Sequence, residues 1–439
     1  MIINISLQPY QKVDKSVTYG ISQGKSRITM LHNWGLSQTA AILDSSRIAI
    51  GNCDTSLASW SRLDDTAPEV TVGKISAHCR AAALLTSDKR ILFSFNGGGL
   101  DDITQLIYDI FGEAIEIRDV RIHNLVLIVI AKDMVGVIGI EQSLVEGRGH
   151  GCEAKAGLIH QFPCEIDTYS AEEWIWGWSV VKTVDGNLYW FSEGDCINPS
   201  LEPEQNRWSL QKLRFDKGNS VCEIFVSYRH ILLLMCGGGV YVMDIEDDRP
   251  VLKDRVFKLL VFCEGVEVLK VIQSVFNAFF VTNTGSCYHL QEGSDLRVNV
   301  IQSLHGYFVE EVYPIVNRLV IRHDGGRICV LQIDARHEDP EFNSRVRKQY
   351  INGTAKPRSI PFFDNKGIAS IRTLSRRIYF VTSEGSTYWV LWKQLEAIDL
   401  EDLANLSIIH EDFFDMNPLA VSNTSAKIRS AGSMLNDKN

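Results

Sequence analysis

The 439-residue chain has no apolar run of 18 residues, so no transmembrane helix and no membrane contact are expected. Its first residues, MIINISLQPYQKVDK, lack the charged, then apolar, then small-residue order of a signal peptide. Lysine and arginine nowhere cluster, and the net charge is −10 with a pI of about 5.6. A duplex or polyphosphate partner would want a basic face, so no nucleic acid is expected. Catalytic signatures are missing as well. There is no HExxH and no Cys/His pair in a recognisable setting, and the 11 histidines do not gather with acids. The carboxylate pairs Asp64-Asp65, Asp101-Asp102 and Asp247-Asp248 read as solvated charge on turns. The expectation is a protein that is not an enzyme and holds no cofactor.

What the chain does have is one sentence written repeatedly. Ser179–Ser192, SVVKTVDGNLYWFS, is an apolar run, an Asp-Gly turn and a second apolar run. Asp185-Gly186 supplies the positive-φ pair of a tight hairpin, and the flanking β-branched and aromatic residues suit a buried pleated surface. Seven more copies align on the turn: Ala40–Gly51, Ala82–Phe95, Val126–Ile140, Ile231–Met243, Ala278–Leu290, Arg318–Leu331 and Ile378–Leu391. Their turn residues are Ser45, Asp88, Asp133, Asp185, Gly237, Thr284, Asp324 and Glu384. By subtraction these lie 43, 45, 52, 52, 47, 40 and 60 residues apart. A strand-built period of about 40–50 residues is the propeller range.

A short apolar pulse precedes the hairpins, as in Ile117–Val120, Ile224–Val226, Val268–Val271 and Glu311–Tyr313, and reads as one more strand per unit. A fourth strand is expected in the variable stretches between units. One unit cannot bury both faces of its sheet; stacking units does so, and the nearly continuous apolar runs fit sheets packed on both sides.

The order "apolar pulse, small residues, Leu-Thr, acidic-Gly, Val-Tyr" resembles the repeat of the regulator-of-chromosome-condensation propellers. Ser76-Ala77-His78-Cys79 running into Ala81–Asp88 is the nearest copy, and Trp34–Ile42 is another. The resemblance covers roughly residues 28–392. It implies a β-propeller, usually of seven blades where eight hairpins are counted here. It also implies a guanine nucleotide exchange factor that displaces the phosphate and Mg²⁺ of a small GTPase with an inserted loop.

Ten cysteines are scattered, and Cys236, Cys287 and Cys329 fall in predicted buried strands, where reduced thiols behave as small core residues. A soluble protein of a reducing, cytoplasmic compartment is expected. Residues 1–27 are read as contributing a strand that closes the ring. Leu100–Phe111 is read as a short inserted helix, with Ile103, Leu106, Ile107 and Ile110 at helical spacing. Residues 141–172, 192–220 and 332–362 are read as long irregular connections, where function would sit. Residues 392–408 are read as an amphipathic helix through Leu395, Ile398, Leu403 and Leu406. Ser422–Asn439 is read as disordered.

Three motifs have a functional and a plain reading. Gly97–Gly99 before a helix could cradle a phosphate, but no Lys-Ser/Thr follows and two aspartates stand in the way. His150, Cys152, His160 and Cys164 are good zinc-ligand types in a spacing that matches no known site, so no metal is expected. Trp174, Trp176 and Trp178 alternate, so on a strand they share one face. They would serve either as a binding anchor or as packing between sheets.

The expectation is therefore an all-β, single β-propeller of seven or eight blades with short inserted helices. It would span residues 1–408, with 409–439 a partly disordered extension. It would bind a protein partner through its loop face, as an acidic inhibitor or immunity-type binder of a basic protein, with nucleotide exchange on a small GTPase as the alternative.

Overall fold

A computed structural model describes residues 30–418 apart from 33–38, 45–46, 53–58, 64–71, 79–80, 96–99, 124–125, 144–150, 172–177, 193–209, 228–229, 246–255, 274–277, 292–295, 316–317, 338–346, 351–354, 375–376, 385 and 412–416. The chain divides into two compact units. One holds Thr168–Trp190 and Gln211–Asp412; the other holds Ser26–Asp167, Phe191–Leu210 and Phe413–Asn439.

Each hairpin copy becomes the second and third strands of an antiparallel sheet. The second unit carries three such sheets. Sheet one runs Met30–His32, Thr39–Asp44, Arg47–Asn52 and Ser59–Leu63. Sheet two runs Val72–His78, Ala81–Thr86, Ile91–Phe95 and Leu100–Asp102. Sheet three runs Ile117–His123, Val126–Ala131, Met134–Ser143 and Gly151–Gln161. On the outer edge of sheet one, Asn417–Pro418 adds a fifth strand, parallel to Ser59–Leu63.

Sheet four runs Ile166–Ala171, Trp178–Thr183, Leu188–Ser192 and Gln211–Leu213, most of it in the first unit. Four sheets of that unit follow. Sheet five is Val221–Val226, His230–Met235, Val240–Asp244 and Lys258–Leu259. Sheet six is Val268–Gln273, Ala278–Thr282, Cys287–Gln291 and Arg297–Val300. Sheet seven is Val309–Ile315, Arg318–His323, Arg327–Gln332 and Arg358–Ser359. Sheet eight is Ile368–Leu374, Arg377–Thr382, Thr387–Leu391 and Ile409–Glu411. Each sheet has the form of a blade of an all-β propeller, one for each hairpin copy.

Apolar side chains on facing sheets fuse into shared cores. Tyr313, Val320, Ile328 and Val330 of sheet seven meet Ile371, Ile378, Phe380 and Val390 of sheet eight. Phe279, Val281 and Cys287 of sheet six meet Val312, Leu319 and Ile321 of sheet seven. Burying each such residue contributes about 1.5–3 kcal/mol, which a lone two-sided sheet could not collect.

Several sequence expectations need correcting. The helix α1 spans only Thr104–Phe111; Leu100–Asp102 is instead an edge strand paired with Leu92–Ser94. Asp102 ends that strand, and its carboxylate accepts the Thr104 N–H at 3.0 Å. Residues 392–408 are not one helix. The helix α2, Trp392–Ala397, gives way to a 3₁₀ turn over Leu400–Asn405, because the Asp399 side chain accepts from the Glu401 N–H at 3.1 Å and starts a new turn. Leu395, Leu403 and Leu406 are buried in the sheet-seven and sheet-eight core as their spacing required.

Residues 141–172 are largely ladder and not irregular: Met134–Ser143 pairs with Gly151–Gln161, and Ile166–Ala171 opens sheet four. Within 332–362 lies a two-stranded hairpin, Asp334–His337 with Arg347–Tyr350. Cys287 and Cys329 are buried thiols, but Cys236 lies beyond its strand and is bonded to Cys222. Ile409–Glu411 carries the edge of sheet eight past residue 408. The expectations for residues 1–27, Gly97–Gly99 and Ser422–Asn439 lie outside the described residues. Among the described residues no helix is long and apolar enough to cross a membrane.

Candidate functional site

In six sheets the first strand carries one extra residue just after its start. The ladder slips between Val72 and Lys74, Val221 and Glu223, Val268 and Lys270, Val309 and Glu311, and Ile368 and Ser370. In sheet three Ala131 faces Ile117 while Ile130 faces Asp119, so Arg118 is the extra residue. The bulged residues are thus Gly73, Arg118, Cys222, Leu269, Glu310 and Ala369. A bulge re-aims its side chain out of the ladder. The scaffold here repeats one geometry and places a different chemistry at each copy of it.

Beside the bulges run the hairpin turns. In sheets two, four, six and eight the second strand ends in a buried threonine: Thr86, Thr183, Thr282 and Thr382. Its hydroxyl ties the turn down: Thr86 Oγ1 donates to the Arg90 carbonyl at 3.1 Å, and Thr282 Oγ1 to that of Ser286 at the same distance. In the first unit, backbone hydrogen bonds stitch turn to neighbouring bulge in a continuous belt. Val268 N–H donates to Gly238 O at 3.0 Å, and Asn283 N–H to Glu267 O at 2.9 Å. Val309 N–H donates to Gly285 O at 2.9 Å, and Asp324 N–H to Phe308 O at 3.0 Å. Ile368 N–H donates to Gly326 O at 3.1 Å, and Ser383 N–H to Gly367 O at 3.0 Å. Gly285 and Gly326 are required there. Both have positive φ, and a Cβ would fall 2.5 Å from the Phe308 ring in the first case and 2.7 Å from Ile368 backbone in the second.

The belt presents large apolar side chains to solvent. Val184, Leu269 and Phe308 are 55%, 58% and 51% exposed. Around them stand exposed acids, Asp185, Glu264, Glu267, Asp324 and Glu384, against Lys217, Lys270 and Arg327. Lys217 is occupied, its Nζ donating to Tyr241 Oη at 2.9 Å. Glu310 and the buried Glu311 hold Arg322 between them, Glu311 at 3.2 Å from Nε. Burial raises the Asp324 carboxyl, but hydrogen bonds from His323 Nδ1 and the Phe308 N–H outweigh it. They keep Asp324 below the usual carboxylate range, hence charged.

Those of the residues singled out from sequence that are described sit elsewhere. Trp178 is 7% exposed and stacks on Trp190 at 4.8 Å, a packing role. Trp174 and Trp176 lie outside the described residues. His160 is buried against Phe191, ring centroids 4.4 Å apart. Cys152 and His160 share the strand Gly151–Gln161, eight residues apart. No cluster of three metal-ligating residues occurs among the described residues. The belt was missed because a bulge is a single inserted residue with no composition of its own, and no periodicity marks it.

No family model and no curated protein matches the chain. Solved structures do. The computationally designed Ika8 protein is similar over 84% of this chain and 97% of its own, at 11% identity and a TM-score of 0.47. YCF48 bound to D1 peptide matches over 73% and 96%, at 9% identity and a TM-score of 0.43. Yeast RCC1 (Prp20), in complex with Kap60, matches over 82% and 69%, at 11% identity and a TM-score of 0.34.

Proposed function

We propose that this chain is a non-catalytic, protein-binding propeller whose turn face engages a protein with a basic surface. The observation that carries the reading is the belt. A rigid backbone track holds one outward-aimed position per sheet, and Leu269 at that position, with Phe308 beside the next, is left in water. Exposed large apolar residues set among charges are the usual composition of an interface centre and rim. The acidic turns and the net charge of −10 favour a cationic partner. An inhibitor or immunity-type role is the finer form of this reading.

The test is capture from the native host by wild type and by a Leu269→Glu/Phe308→Glu variant matched for folding by circular dichroism. The expected result is a partner of basic pI, released as salt rises from about 50 to 500 mM and lost with the variant. Equal recovery on both baits would overturn the reading. The resemblance to chromosome-condensation regulators supports exchange-factor activity as the second reading. It requires faster nucleotide release from some member of a small-GTPase panel, and unchanged release retires it.

A further inference from the structure

We propose that a cleft beside sheet seven, at the opposite end of its second strand from the belt, binds a small zwitterion of the α-amino-acid class. The cleft is open to solvent and has a volume of about 640 Å³, between the fourth strand of sheet seven and the segment after α2. That volume is in the range of small-molecule sites. Its charged lining is Arg318, Lys356 and Arg358 against Asp399 and Glu401, three cations and two anions, for a net of +1.

Arg318 is 5% exposed. Its Nη1 and Nη2 donate to the carbonyls of Leu395 and Ile398, and its Nε to Gln332 Oε1 at 3.2 Å. All three acceptors are neutral. A guanidinium has five N–H groups and a full charge, so donors and charge are left over. Buried charges are ordinarily paired by direct contact. Burial lowers the Arg318 pKa, with Glu396 and Asp399 opposing only through space.

Lys356 makes no ion pair among the described residues, whereas Arg358 is held by Glu401. Arg318 and Lys356 therefore leave positive charge in the cleft for a carboxylate. Asp399 lines the same cleft without an ion pair among the described residues and suits an ammonium, and with Glu401, which Arg358 already holds, it repels a phosphate dianion. Ile398 and Leu400 give the ligand's carbon frame an apolar seat. This site shares no residue with the belt, so it stands or falls independently of the protein-binding reading.

Calorimetric titration of the full chain with glycine, L-leucine and L-lysine, each also as its α-carboxamide, and with inorganic phosphate tests it. At least one free acid is expected to saturate the protein below roughly 10 mM. Its amide should bind about ten-fold or more weakly, having lost the charge-assisted hydrogen bonds. Lys356→Met lies on the surface and leaves Arg318 in place. It should weaken binding at least about five-fold, the loss of one charge-assisted contact, with an unchanged melting temperature. The proposal is overturned if no free acid binds in that range, if the amides bind equally, if Lys356→Met binds as wild type, or if phosphate binds more tightly than every amino acid.

Discussion

Gly325 and Gly326 stand side by side in the turn of sheet seven, with φ of +78° and +102°. A Cβ on Gly325 would meet nothing within 4 Å, whereas one on Gly326 would meet Ile368 N and O at 2.7 Å. Gly325→Ala should therefore cost only the left-handed backbone penalty, about 1–2 kcal/mol. Gly326→Ala should add a clash with backbone that cannot move aside, for a total of about 3–5 kcal/mol. Urea midpoints of the two variants check this, and equal midpoints would remove the belt's role in joining sheets seven and eight. His289, on the third strand of sheet six, is a second residue with a measurable signature. Burial pushes its pKa down to about 4. The unfolded imidazole titrates near 6.5, so between about pH 6.5 and 4 the unfolded chain takes a proton that the folded one refuses. Stability is complete above that window and falls as pH drops through it, by about 3 kcal/mol at most. His289→Gln should flatten the dependence of the urea midpoint on pH between 7 and 4.

At the scale of the element, the bulge of sheet five explains its disulfide. Cys222 is the extra residue of the first strand, and Cys236 follows the second strand, its N–H donating to Ser220 O at 2.8 Å; the two Cα atoms come within 5.2 Å. The pair closes a loop 14 residues apart in sequence. Cys236→Ser is expected to cost about 2–3 kcal/mol through the released loop, read by chemical denaturation. Alkylation of native protein should leave Cys287 and Cys329 unmodified until unfolding, since burial raises both thiol pKa values. The hairpins were legible because Asp-Gly and Thr-Gly turns and β-branched runs are local signals, and all eight copies became second and third strands. The edge strands were not. Lys258–Leu259 and Arg358–Ser359 are two residues each and exposed, too short for any period to show. Leu100–Asp102 reads as helix because Leu100 lies three residues before Ile103 and two aspartates suit a first helical turn as well as the strand edge they form. Cysteine pairing likewise depended on a bulge that sequence cannot show.

For the whole molecule, repetition was the readable feature and partner choice was not. The period announces the sheets, but Leu269 and Glu310, with Phe308 beside the latter, gain meaning only once the bulges bring one position in each of six sheets to the same geometry. Trp178 was not readable for the complementary reason: alternation places residues on one face without telling whether that face is covered, and Trp178 is covered by Trp190. If acidic turns guide the encounter, salt should slow association with the partner more than it speeds dissociation, a split that stopped-flow mixing would resolve. The strand Asn417–Pro418 lies on the edge of sheet one, which precedes the other seven sheets in sequence. During synthesis that border stays uncovered until Asn417 and Pro418 have been made, long after Ser59–Leu63. Sheet one thus waits unfinished while the other seven are made, and nascent chains interrupted ahead of Asn417 would carry an open seam, prone to stick to one another.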